Sequence, residues 1–205
     1  MDIVLRESER LNDTIKSFLA YARPQRVSES RFDLRQVVND TALLLRHSPE
    51  SGGTHQVSVD VPTLPVWFEA DEGQIRQVVW HLATNGIRAM PDGGSLVLGV
   101  RARGNDVVTL SVRDEGMGMP VDELDQMLQP FRGTFKQGTG LGLAIVHRIV
   151  SDYGGEIQVT SAPSVGTTVR VRLPAWTAVP PAQSELSTSG LLAAGRLALE
   201  FEDVE

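Results

Sequence analysis

Three short stretches carry residue types that could hold a base or a phosphate. The first, QGTGLGLAIVHRIV, runs over residues 137–150 and sets Gly138, Gly140 and Gly142 ahead of an apolar run with helical spacing. Glycines so spaced let a backbone pass close to something bulky and anionic, and a helix N-terminus offers it amides. Neither familiar phosphate loop fits. Gly142 is followed by Leu143 and Ala144 rather than Lys and Ser/Thr, and the GxGxG run follows the polar FRGTFKQ rather than a buried strand. The second stretch, DEGMGM, has Asp114 closing an alternating run, with Gly116 and Gly118 behind it. The third is RQVVWHLATNGIRAM, where His81, Asn85 and Arg88 share one helical face. Singly, each has a plainer reading: a locally bonded asparagine, a turn after a strand, a flexible loop.

The elements that must position these residues are legible in outline. DIVLRESERLNDTIKSFLAYARP reads as a helix with Val4, Leu11, Ile15 and Phe18 on one seam, stopped at Pro24; it would pack on its own domain or in a helical bundle between chains, and its place ahead of the polar QRVSES favours the bundle. FDLRQVVNDTALLLRH reads as a second helix, QVSVDVP and VWFEA as strands, and DEGQIRQVVWHLATNGIRAM as a long helix capped by Asp71. SLVLGVRAR and VVTLSVRD alternate around GND as a hairpin, and VDELDQML reads as a short helix. LAIVHRIVSDY is a helix closed by Gly154 and Gly155; EIQVTSA and TTVRVRLP form a last hairpin around PSVG. Strands arriving mostly as hairpins with helices between them predict an α+β fold, a two-layer sandwich of helices on a mixed, largely antiparallel sheet.

Bulk composition narrows the function classes. The 205 residues hold no cysteine, which excludes disulfides and cysteine chemistry and fits a reducing compartment. A net charge of −7 argues against a nucleic-acid partner. No apolar run is long enough to cross a membrane, so a cytoplasmic location is expected, with membrane attachment left to any larger protein. The residues after Trp176 are rich in Pro and Ser, then acidic.

Together, in this order, the three stretches resemble the ATP-binding domain of sensor histidine kinases, in the superfamily shared with DNA gyrase B, the Hsp90 chaperones and MutL. QVVWHLATNGIRAM is similar to its asparagine helix, DEGMGM to its DxGxG element, PFRGTFKQGTGLGLAIVHRIV to its phenylalanine segment and second glycine element, and SVGTTVRVRLP to its closing strand. The first helix resembles the second helix of the dimerisation hairpin in nitrogen- and pilus-regulatory kinases. The resemblance implies a Bergerat-type ATP-binding fold with four parts: residues 1–24 a partial dimerisation hairpin, 25–31 a linker, 32–176 the catalytic domain, and 177–205 a flexible acidic tail.

The resemblance also implies roles. Asp114 would accept from the exocyclic amine of adenine, with Gly116 and Gly118 letting backbone lie against the base and Thr167 assisting through water. Asn85 would be a ligand of Mg²⁺, which keeps waters and takes its other oxygens from phosphates. Arg88, Arg132 and Lys136 would lie near the phosphates, and Gly138, Thr139, Gly140, Leu141 and Gly142 would wrap them. His81 stands where relatives often carry Asn or an acid; it is either a catalytic-site residue favouring transfer over hydrolysis or a polar residue at the pocket edge. Gly86 replaces the usual alanine.

The expected activity is transfer of the ATP γ-phosphoryl group to a histidine on a dimerisation helix, in a homodimer that serves a response regulator. His47, His55, His81 and His147 do not fit the acceptor pattern of histidine, acid, apolar residue and proline on a long helix. The chain is therefore expected to be a fragment that binds ATP without phosphorylating itself. The alternative is a regulatory module that binds ATP and transfers nothing.

Overall fold

A computed structural model describes residues 28–48, 51, 53–103, 107–120 and 141–175. In chain order these form β1 (Glu29–Asp33), α1 (Leu34–Arg46), β2 (His55–Asp60), β3 (Trp67–Asp71), α2 (Glu72–Arg88), β4 (Gly94–Arg103), β5 (Val107–Asp114), α3 (Gly142–Asp152), β6 (Glu156–Ala162) and β7 (Gly166–Pro174).

Five strands make one sheet in the order β2-β4-β5-β7-β6. β2 runs parallel to β4 and every other pair is antiparallel. Alternation decides which face is covered. Leu96, Leu98 and Val100 on β4, Val108, Leu110 and Val112 on β5, and Val169, Val171 and Leu173 on β7 are buried, while the residues between them on β5 and β7 are polar or partly exposed. The helices lie on the apolar face, and their buried stripes complete the core. α1 supplies Leu34, Val37, Val38 and Leu45; α2 supplies Ile75, Val78, Val79 and Leu82; α3 supplies Ile145, Val146 and Ile149. Each fully buried leucine contributes about 2 kcal/mol relative to exposure. This is the α+β sandwich expected from the sequence.

The long helix α2 begins where its cap predicts, with Asp71 accepting from the Gln74 amide at 3.1 Å. It ends at Arg88, two residues short of the expected Met90.

One strand was not foreseen. Residues 29–31 belong to the expected linker and 32–33 to the expected helix, yet Glu29–Asp33 pairs antiparallel with β3 in a separate two-stranded sheet. Asp33 then caps α1. It accepts from the Arg35 amide at 3.1 Å and the Val66 amide at 3.1 Å, and its carboxylate pairs with the Arg35 guanidinium at 2.7 Å. Burial alone would raise the Asp33 pKa, but these bonds outweigh it and lower it. The first helix, the GND turn, VDELDQML and the tail lie outside the described residues. Among the described residues no helix is long and apolar enough to cross a membrane.

Candidate functional site

Asp114 is the last residue of β5 and stands in register opposite Thr167 on β7. It is 7% exposed, and its Oδ1 accepts two backbone amides, Gly116 at 2.9 Å and Thr167 at 3.2 Å. Burial pushes this carboxyl above its ordinary pKa, and the two amides pull only partly against that. Oδ2 takes no hydrogen bond from another described residue. It faces α2, where a Cβ on Gly86 would lie 3.7 Å from it. One oxygen of Asp114 is thus fixed by backbone, and the other takes no hydrogen bond from another described residue.

α2 lies across this carboxylate. Gly86 faces it so closely that a Cβ there would stand 3.4 Å from the Asp114 Cβ and 2.6 Å from Leu96 Cδ1. That accounts for glycine at a mid-helix position where alanine would have the better propensity.

Gly116 and Gly118 were expected to make room for a base. Within the chain itself, the space a side chain would need at either position is filled by other backbone. A Cβ at 116 would meet the Ala89 carbonyl oxygen at 2.5 Å. Gly118 has φ +61°, and a Cβ there would fall 1.9 Å from the Ala162 carbonyl oxygen. Packing alone therefore requires both glycines. The loop they shape is stitched down at both sides: Met117 N donates to Ala89 O at 2.9 Å, and Ser164 N donates to Met117 O at 2.7 Å.

Ser161, which the sequence reading did not single out, is the hub of this loop. Its Oγ accepts from Met119 N at 2.9 Å, donates to Gly166 O at 3.1 Å and lies 2.9 Å from Thr167 Oγ1. The signal was available in the final hairpin, whose register sets Ser161 opposite Thr167. Thr167 is bound through its amide to Asp114 and through its hydroxyl to Ser161, so it belongs to the support of Asp114.

His81, Asn85 and Arg88 do share a face of α2. His81 and Asn85 are half-buried and Arg88 is exposed. The Asn85 side chain makes no hydrogen bond among the described residues, which leaves its oxygen available. Burial first, and the Arg88 charge second, draw His81 down to a pKa of about 4. The ring is neutral at pH 7 and too weak a base to serve as a proton acceptor there. It stands against the start of α3: a Cβ on Gly142 would be 3.5 Å from His81 Nδ1.

Leu141 has no exposed surface and occupies the N-cap position of α3, with its carbonyl accepting from Ile145 N at 2.9 Å. Its side chain is core, so only its backbone can serve a ligand. The structure brings Asp114, Asn85, His81, Gly142 and Thr167 around one corner of α2; Arg132, Lys136, Gly138, Thr139 and Gly140 lie outside the described residues. Among the described residues no three His, Asp or Glu side chains converge to hold a metal.

Comparison with known proteins agrees with this architecture. Residues 70–177, just over half of the chain, match the family described as histidine kinase-, DNA gyrase B- and HSP90-like ATPase. Sporulation kinase E of Bacillus subtilis (strain 168) is 33% identical over 176 residues, covering 84% of this chain and 23% of that protein. Sensor histidine kinase ZraS of Klebsiella oxytoca is 32% identical over 172 residues, covering 84% of this chain and 37% of that protein. The chain thus spans well under half the length of these relatives. A crystal structure of full-length ShkA in complex with AMPPNP superposes with a TM-score of 0.74 at 28% identity, covering 87% of this chain and 39% of that one. The chain belongs to the histidine kinase-, DNA gyrase B- and HSP90-like ATPase family and is homologous to sensor histidine kinases.

Proposed function

We propose that this chain is the ATP-binding catalytic domain of a two-component sensor histidine kinase. The observation that carries the reading is the divided carboxylate of Asp114, with Oδ1 held by Gly116 and Thr167 and Oδ2 bonded to no other described residue. An adenine amine is the donor it fits. Guanine presents an oxygen at that position, so two acceptors would face each other, at a cost of about 1–3 kcal/mol.

Asn85, with its oxygen unspent, would be the protein's one neutral ligand to Mg²⁺. That ion's remaining oxygens come from phosphates and water. The start of α3 at Gly142, together with Gly138, Thr139 and Gly140, would hold phosphate oxygens through backbone amides, with Arg88, Arg132 and Lys136 adding charge. Bound ATP supplies the phosphoryl group. The chain's own part is to orient it, and His81 stays a neutral wall residue.

The acceptor would be a histidine on a dimerisation helix that is not among these 205 residues, in a homodimer whose phosphoryl group passes to a response regulator in the cytoplasm. The residues numbered 1–24 would contribute one helix of that dimerisation hairpin. Calorimetry tests the site: Asn85→Ala should abolish the Mg²⁺-dependent part of ATP affinity, and equal affinity with and without Mg²⁺ in the parent chain would refute the role of Asn85. Radiolabelled ATP tests the reaction. The chain alone should stay unlabelled and an added hairpin carrying the acceptor histidine should take up acid-labile label. Tight ATP binding without any transfer to that hairpin would favour a non-catalytic regulatory module.

A further inference from the structure

The face of the five-stranded sheet turned away from the helices carries an unbalanced charge. Arg101 on β4, Arg113 on β5, and Arg170 and Arg172 on β7 are all exposed there. Among the strand residues of that face only Asp60 and Glu156 are acidic, and both are already paired, Asp60 with Arg101 and Glu156 with Arg172 at 3.3 Å. Arg113 and Arg170 make no ion pair or hydrogen bond among the described residues. They are close to each other. Arg113 stands opposite Thr168 and Ser111 opposite Arg170, which makes the two arginines diagonal neighbours about 7–8 Å apart.

The surface around them is low. Gly99 has no room for a side chain, since a Cβ would lie 2.5 Å from Ser111 Oγ, and Thr109, Ser111 and Thr168 are short. Two guanidinium groups therefore rise from a shallow polar floor, in a chain whose net charge is −7.

We propose that this face is the docking surface for the acidic C-terminal segment of the same chain, LALEFEDVE, residues 197–205. That segment holds Glu200, Glu202, Asp203 and Glu205 and no basic residue. In an extended segment, carboxylates two residues apart recur at about 7 Å on one side, so Glu200 and Glu202 match the spacing of the two arginines. Reach is ample. β7 carries Arg170 and ends at Pro174, and the chain from there to Glu200 can extend up to ~80 Å, several times the ~24 Å width of five strands. Covalent attachment makes the encounter intramolecular, so a weak charge-driven contact becomes occupied. Guanidinium–carboxylate pairing supplies its geometry.

The absence of cysteine from the chain permits a direct test. A nitroxide on Ser189→Cys in the ¹⁵N-labelled 205-residue chain should roughly halve the amide peak heights of Ser111, Arg113, Thr168 and Arg170 near 10 mM salt, and the effect should vanish at 1 M, where the screening length is about 3 Å. It should also vanish in Arg113→Glu with Arg170→Glu, exposed positions whose substitution leaves the core untouched, and in Glu200→Gln with Glu202→Gln. Three outcomes would overturn the proposal: broadening centred on another surface, broadening that survives the arginine reversals, or broadening seen only between a labelled molecule and a separate ¹⁵N-labelled one.

Discussion

Gly86 of α2 packs over Leu96 of β4, beside Asp114, with no space for a methyl group: a Cβ there would fall 2.6 Å from Leu96 Cδ1. Helix propensity favours alanine over glycine by up to about 1 kcal/mol, but the added carbon would press on Leu96, which has no exposed surface and little freedom to yield. Gly86→Ala should therefore destabilise the domain, by about 1–2 kcal/mol net in urea unfolding. Combining it with Leu96→Val, which withdraws the offending carbon, should recover part of that loss. A more stable Gly86→Ala protein would show that the helix shifts freely over the strand.

Asp114→Asn separates support from recognition. The asparagine Oδ1 can still accept from Gly116 and Thr167, while its NH₂ puts a donor where Oδ2 would accept from the base. ATP binding should fall by at least tenfold. The melting temperature at pH 7 should hold or rise. A carboxyl whose folded pKa is raised opposes folding when ionised, and the amide removes that charge. By the same shift, ATP affinity in the parent protein should decline on acidification from a pH above the usual carboxylate range. Measurement of affinity from pH 7 down to pH 5 checks this.

His81 makes its own pH signature. Its folded pKa of about 4 lies below the unfolded value of 6.5, so the unfolded chain takes up the proton first. Stability present above pH 6.5 should drain away as pH falls toward 4, by about 2 kcal/mol between pH 7 and pH 5. His81→Gln should flatten that part of the profile while leaving the steeper acid limb from the carboxylates. An unchanged slope would mean that the ring opens to water before it titrates.

Tyr153 follows α3, and its hydroxyl accepts from the Asp71 amide at 3.0 Å while its ring meets Phe68 edge-on at 6.5 Å between centroids. Tyr153→Phe keeps the ring and strands the amide, at a cost of about 1 kcal/mol. Amide exchange at Asp71 should accelerate more than exchange in the middle of α2.

Much of this fold was readable because its signals are local. Asp71 followed by spaced apolar residues announces α2, and strict alternation announces β4, β5 and the last hairpin. β1 escaped because its five residues carry no period: only Phe32 and Asp33 are buried, and its partner β3 lies some forty positions away. The glycines illustrate the same limit at the site. Their spacing in DEGMGM marks a tight passage, but whether ligand or protein fills it depends on Ala89 and Ala162, distant in sequence. The divided use of the Asp114 oxygens was illegible for the same reason, since it needs the β5–β7 register.

Helix α3 touches the region of α2 at both ends. Gly142 abuts His81 near the middle of α2, and Tyr153 just past the far end of α3 reaches the amide of Asp71 at its beginning. Two contacts along one line remove sliding and pivoting together. The core thus acts as a ruler: the separation between a group that Asn85 would hold and one that the first amides of α3 would hold is gauged by packed side chains and would not have to be found anew each time a ligand arrives.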